Sequence, residues 1–327
     1  MEIKNNGNLE KSETVARMPL VCSDEAAAVE FFEAQLWGNK PKCAHCKSTN
    51  VYKMIDAKTG LRNKRFLLRC HDCKKQFTVR IGTVLKESRI PLRHWAYAFW
   101  RASTSKKGVS TLEIKRQCQI SYKSALFLMH RIRFALTPGY GESPKLDGVV
   151  ECDETYVGGK PRPASLPKGA KIISAPRGRS TITKTPVFGM VERGGRIQRE
   201  VVTNVSAENF KAAIRENVSD SATIMTDDFP SYRGIGKDFD GGHHVVKHSH
   251  HQYANGIVHT NTAESSFAIL KRGIVGIFHT VSKKHLHRYV NEFDFRWNAR
   301  FENDGNRPVL AVKGASGKRL DYKTLTR

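Results

Sequence analysis

Hydrophobic positions recur along this chain with two different periods, and the switches between them mark its organisation. In DEAAAVEFFEAQLWG, Val29, Phe32, Leu36 and Trp37 share one helical face behind Ser23, which is placed as an N-cap. The runs VYKMI, RFLLRC and KQFTVRIGT then read as short strands. Helical spacing returns after Pro91, where Trp95, Ala98, Phe99 and Ala102 form a stripe. STLEIKRQCQI and SYKSALFLMHRIRFAL follow as two more helices joined by a tight turn, with Leu112, Ile114, Ile120, Ala125, Leu126, Met129 and Ile132 as their expected core. TPGYGESPKLDG interrupts the pattern near residue 146. Beyond it GVVECDETYV, PVFGMVE and RIQREVV are strand-like, with Gly194-Gly195 as a hairpin turn. Ser206 caps the helix AENFKAAIREN, and ATIMT is a strand that ends at Asp227.

Three strands, a helix, a fourth strand and a later helix is the order of a ribonuclease-H-like α/β domain with a mixed central sheet. The expected fold class is therefore multi-domain α+β. A polar, loosely attached segment spans 1–21, a zinc ribbon with its preceding helix 22–88, and a helix-turn-helix module 89–138. The ribonuclease-H-like domain spans 147–302, and a tail without a clear signal spans 303–327.

The zinc assignment rests on spacing. Cys43-x-x-Cys46 and Cys70-x-x-Cys73 supply four thiolates in two knuckles, the ligand set of a structural zinc site. Cys22, Cys118 and Cys152 have no partner at ligand spacing and read as small core residues.

Charge changes the picture next. The chain carries 55 Lys and Arg against 31 Asp and Glu, a formal net charge of +24, which points to a polyanionic partner. It has no apolar run long enough to span a membrane, and MEIKNNGNLEKSE lacks a signal-peptide core, so a cytoplasmic, nucleoid-associated protein that meets double-stranded DNA is expected. In the helix-turn-helix, Ser121, Tyr122, Lys123 and Ser124 open the second helix, where base edges are read, and Arg131 and Arg133 are placed as phosphate contacts. The stretch from Gly158 to Pro186, with seven Lys/Arg and no acid, adds Lys160 and Arg162. Arg272, Lys283, Lys284, Arg288, Arg296 and Arg300 add further positive charge, while Tyr289, Phe293, Phe295 and Trp297 read as core.

Three acids stand out against this background. Asp153 leaves the opposite face of its strand from Val150 and Cys152, and Glu154 shares their side. Asp227 ends the fourth strand, favoured over Asp228 by the same alternation. Glu264 is the sole acid between Asp240 and Glu292, on an expected helix that carries Lys271 two turns on. Asn261, one turn earlier, is the alternative third ligand. Hard carboxylate oxygens gathered in this way suit two Mg2+ (or Mn2+) ions and in-line phosphodiester chemistry. Six histidines from His243 to His259 crowd the approach to Glu264; most read as surface residues, with His259 near the site.

The blocks CAHC…CHDC, KQFTVRIGTVLKESRIPLRHW, KKGVSTLEIKRQCQISYKSALFLMHRIR, DETYVGGK, TDDFPSY and HTNTAESSFAILKRGIVGIFHTVSKKHLHRYVNEFDFRWNAR resemble bacterial insertion-sequence transposases. These join a zinc ribbon and helix-turn-helix to an Asp-Asp-Glu integrase-like domain. The resemblance spans roughly residues 25 to 302. It implies an enzyme that binds terminal inverted repeats, cuts there and joins the ends to target DNA, as a homodimer or higher oligomer on the DNA. By position it makes Asp153, Asp227 and Glu264 the catalytic triad, with Lys271 as the accompanying basic residue. Some members of that group use Asn in the third position, which keeps Asn261 in view. A DNA-binding protein without catalysis and a two-metal nuclease are the alternatives.

Overall fold

The computed structural model describes residues 13–38, 40–138, 144–158, 184–247, 254 and 256–326. Lys160, Arg162, His248, His250 and His251 lie outside the described residues. The chain forms two compact units: one runs to Pro138 and also takes in the residues from Ala299 on, and the other comprises Gly139–Asn298.

Among the described residues, unit one begins with a helix that the sequence did not suggest. Where a loosely attached polar segment was expected, α1 (Glu13–Ser23) buries Met18 and Val21. Ser23 closes α1, and the N-cap of α2 (Glu25–Trp37) is Asp24, whose Oδ1 accepts from Ala27 N at 2.8 Å. The ribbon is a small antiparallel sheet of β1 (Val51–Lys53), β2 (Leu68–Cys70) and β3 (Gln76–Phe77) in the order β1-β2-β3. Cys43, Leu68, Cys70 and Phe77 are buried between its knuckles. The bidentate pair of Arg62 with Glu33 fastens the ribbon to α2.

α3 (Leu92–Thr104) follows Pro91, which offers no side-chain cap. The Glu25 carboxylate fills that role from α2, accepting from Leu92 N at 2.8 Å and Arg93 N at 3.1 Å. α4 (Thr111–Cys118) and α5 (Tyr122–Ala135) are capped by Ser110 and Ser121, and Gln119 takes a left-handed conformation in the turn between them. Ile114, Ala125, Met129 and Ile132 are buried as expected, whereas Leu112 is exposed and Leu128 takes a core place. The segment without a sequence signal folds as α9 (Asn306–Lys313) and α10 (Tyr322–Thr326), with Ala311, Val312, Ala315 and Leu320 buried. Gly314 makes that packing possible, since a Cβ there would lie 2.5 Å from the Ala135 carbonyl oxygen.

Unit two is built on a five-stranded mixed sheet in the order β6-β5-β4-β7-β8. β4 (Val149–Gly158) and β5 (Lys184–Glu192) pair antiparallel, as do β5 and β6 (Ile197–Val201). β7 (Thr223–Asp227) runs parallel to β4, and β8 (His243–Val246) parallel to β7. This is the ribonuclease-H-like order that the element sequence implied, with β8 added where the sequence showed a run of histidines. α6 (Ala207–Asn217), capped by Ser206, joins β6 to β7.

Period-two alternation along β4 divides the core. Val150 and Cys152 pack with Phe188, Met190, Phe210 and Ile214 on the α6 side. Val157 packs on the other side with α7 (Asn261–Gly273) and α8 (Leu286–Asn298), through Phe267, Leu270, Leu286, Val290 and Phe293. α8 also shields the edge strand β6. Asn298 accepts from Ile197 N at 2.7 Å and donates to Ile197 O at 3.0 Å, and Asp294 accepts from Arg199 N at 2.9 Å. The edge groups that could template a further strand are thereby satisfied.

Candidate active site and metal centre

In unit one the ligand atoms of Cys43, Cys46, Cys70 and Cys73 all lie within 4.8 Å of one another. Sγ of Cys43 and Cys73 are 3.6 Å apart, as are those of Cys46 and Cys70, distances that suit four thiolates around one tetrahedral zinc. Burial opposes ionisation of Cys43, but bonds from the Cys46 and His45 amides and from neighbouring thiols prevail and lower it to about 6. The two knuckles are also tied through Asp72, which accepts from Ser48 Oγ and, at 2.9 Å, from Asn50 Nδ2.

In unit two Asp153 projects from the α7 face of β4, opposite to Cys152, as the alternation required. The parallel register pairs Glu151 with Met225, so its continuation sets Asp153 beside Asp227 at the end of β7. Asp227 is buried, and its Oδ1 accepts from Phe229 N at 3.1 Å. Glu264 lies in the exposed first turn of α7, with Lys271 exposed two turns on and Phe267 buried against the sheet. Burial, then the charges of Glu154 and Asp227 and finally that of Glu264, push the Asp153 carboxyl up to about 8, against one bond from the Glu154 amide. The register sets Asp227 beside Asp153, and the charge of Glu264 on α7 adds the smallest of these contributions. Among the described residues only the cysteine quartet draws three or more metal-ligating side chains within 4.8 Å, so the three carboxylates stand further apart than the thiolates. Glu154 turns to the other face, where Tyr232 Oη donates to its Oε2 at 3.1 Å.

One acid that the sequence reading passed over lies at the centre of unit two. Glu151 is 0% exposed. Its carboxylate accepts from Thr262 N, Thr262 Oγ1, Ala263 N and Arg193 Nε at 2.8, 3.0, 3.0 and 2.6 Å. Arg193 also donates to the carbonyls of Ile257 and His259, and its Nη2 lies 3.0 Å from His259 Nδ1. Nδ1 of His259 also lies 3.2 Å from Glu151 Oε1, so the ring borders both members of the pair. The available signal was an acid inside an apolar strand, two residues before Asp153 and on the same face.

The predicted DNA contacts divide into two groups. Ser121, Tyr122 and Lys123 are exposed at the start of α5, with Ser124 partly exposed, and Lys271, Arg272, Lys283 and Lys284 are exposed in unit two. Arg131 and Arg133 depart from expectation: both are buried, at 5% and 0% exposure, and are not presented to DNA. Arg131 donates to the Leu320 carbonyl at 3.1 Å and lies over the Phe127 ring. Arg288 and Arg296 are buried as well, the latter paired with Glu292 at 2.5 Å. Tyr289 and Phe293 are buried as expected, while Phe295 and Trp297 are half-buried.

Residues 23–76 match the family model described as a transposase zinc-ribbon domain, and residues 145–298 match the one described as an ISXO2-like transposase domain. A curated protein of Halobacterium salinarum, described as an uncharacterized protein in transposable element ISH50, is 30% identical over 280 residues, covering 83% of this chain and 90% of that one. The chain belongs to the ISXO2-like transposases. Solved structures similar to this transposase include the Mos1 strand transfer complex, with a TM-score of 0.23 and 14% identity over 60% of this chain and 73% of that one. A pre-cleavage Mos1 transpososome gives 0.24 and 13% over 60% and 74%. Scores this low leave the fold assignment to the sheet order itself. Among the described residues of the transposase, no helix is long and apolar enough to cross a membrane.

Proposed function

We propose that this transposase cuts the terminal inverted repeats of its element and joins them to target DNA, using Asp153, Asp227 and Glu264 to hold two divalent cations, Mg2+ or Mn2+. The observation that carries the reading is the convergence of acids from three separate elements on Asp153, whose carboxyl is raised to about 8 by burial and by its acidic neighbours. A group of carboxylate oxygens that repel one another fits hard divalent cations. Bound there, such ions supply activation of the attacking oxygen and stabilisation of the leaving one. Glu264 is the third ligand in this reading because its charge reaches Asp153, with Asn261 as the alternative at the first residue of α7.

The protein's own part is to hold these acids and to grip DNA. Ser121, Tyr122, Lys123 and Ser124 at the start of α5 read the repeat, and Lys271, Arg272, Lys283 and Lys284 hold phosphates near the acids. Synapsis of two ends calls for at least a homodimer on the DNA, acting in the cytoplasm at the nucleoid. The test is cleavage and joining of labelled repeat DNA by the purified protein with magnesium, beside Asp153→Asn, Asp227→Asn and Glu264→Gln. Wild type should cut and join, and each variant should bind without cutting. Cleavage retained in one variant removes that residue from the site, and a wild type that binds but never cuts refutes the catalytic assignment.

A further inference from the structure

We propose that Glu151 and Arg193 form a positioning latch that sets Glu264 against Asp153; this rests on the reading of those two acids given above. The geometry is direct. Glu151 and Asp153 are two residues apart on β4, so their side chains leave the same face of the strand. Thr260, the N-cap of α7, makes no side-chain cap bond, and the open amides of the first turn turn to β4 instead. Glu151 Oε2 accepts from Thr262 N and Ala263 N at 2.8 and 3.0 Å, one residue short of Glu264. The helix start is therefore bonded to the strand that carries Asp153.

Arg193 extends the hold to the chain that enters the helix. From the turn after β5 it donates to Glu151 at 2.6 Å, to Ile257 O at 2.7 Å and to His259 O at 2.9 Å. A third contact sets the depth of the helix. Gly189 is the register partner of Asp153 on β5, and a Cβ there would come 2.7 Å from the ring of Phe267, three residues beyond Glu264. The absence of a side chain lets α7 lie close at the strand pair where Asp153 stands. Glu151, wholly enclosed by its four donors, acts through α7 and not on the reacting atoms.

The test measures Mn2+ binding to the full chain by titration calorimetry, without DNA, alongside cleavage with Mn2+. Glu151→Gln keeps the side-chain shape and removes its charge, and Arg193→Ala is the second variant should the first not fold. Either folded variant should bind Mn2+ at the acids about 10-fold or more weakly than wild type, with zinc content and circular dichroism unchanged. In a Glu264→Gln background the same substitution should have no further effect, which separates positioning from a general loosening of the fold. Affinity and cleavage within about two-fold of wild type, or an equal extra loss in the Glu264→Gln background, would overturn the latch alone. A wild type that neither takes up Mn2+ at these acids nor cuts would overturn the parent reading and the latch with it.

Discussion

Each unit of this transposase contains a helix whose own N-cap residue makes no side-chain bond, and each borrows a carboxylate from far away in the chain. α3 takes Glu25, 67 residues before Leu92, and α7 takes Glu151, 111 residues before Thr262. The settings differ. The Glu25 side chain is 28% exposed and its nearest cation, Arg80, is 3.8 Å away; Glu151 is fully enclosed and paired with Arg193 at 2.6 Å. Water can replace the first cap more readily than the second, because the Glu151 carboxylate is closed off from solvent. The same device thus fixes a helix in unit one and commits a whole corner of unit two.

The largest effect that would break this comparison is Glu151→Ala. Removing one partner of an enclosed ion pair and two helix-capping bonds should cost about 3 kcal/mol or more, read as a lower calorimetric transition of unit two. A loss under about 1 kcal/mol would erase the distinction between the two caps. Gly189→Ala should come next, at about 1–3 kcal/mol, as the ring of Phe267 is forced aside, with cleavage falling alongside stability.

Asp153→Asn should move stability the other way. The folded carboxyl is raised from its ordinary value of 3.8 to about 8, so between those pH values the native state keeps a proton that the unfolded chain has lost. Stability falls as pH rises through that window, and the Asn variant should be free of the penalty. At pH 8 without divalent ions we expect its Tm to exceed wild type by ~3 °C, with the gap closing near pH 4. The smallest effect is Glu25→Gln, at about 1 kcal/mol or less, with repeat cleavage unchanged; a Glu25 variant that folds but cannot cut would mean that the exposed cap also serves the chemistry.

Features that depend on local spacing were open to reading in the sequence. Two CxxC knuckles gave the thiolate cluster, and alternation along β4 put Asp153 and Glu154 on opposite faces, as the contacts of Tyr232 and the α7 cluster show. What escaped depends on partners distant in the chain. Arg131 and Arg133 have the look of a basic helix face, and only the return of residues near Leu320 reveals that this face is covered. Leu112 shows the reverse, an apolar residue on a helical stripe that the structure leaves exposed. Glu151 went unnoticed because its donors come from Arg193 and the start of α7, and no spacing links those positions to β4. β8 was hidden by histidines, which have little strand character, although its parallel pairing with β7 is regular.

The way the chain threads its two units has a consequence for how the protein is made. Unit one needs residues from Ala299 on, so its α9 and α10 leave the ribosome only after the whole of Gly139–Asn298 has been synthesised. The part of unit one that precedes Gly139 is therefore completed only after unit two, which is contiguous in the chain. Until then the surfaces of α3 and α5 that meet Ala311, Val312 and Leu320 wait uncovered, a window in which a nascent chain is open to chaperones and to aggregation.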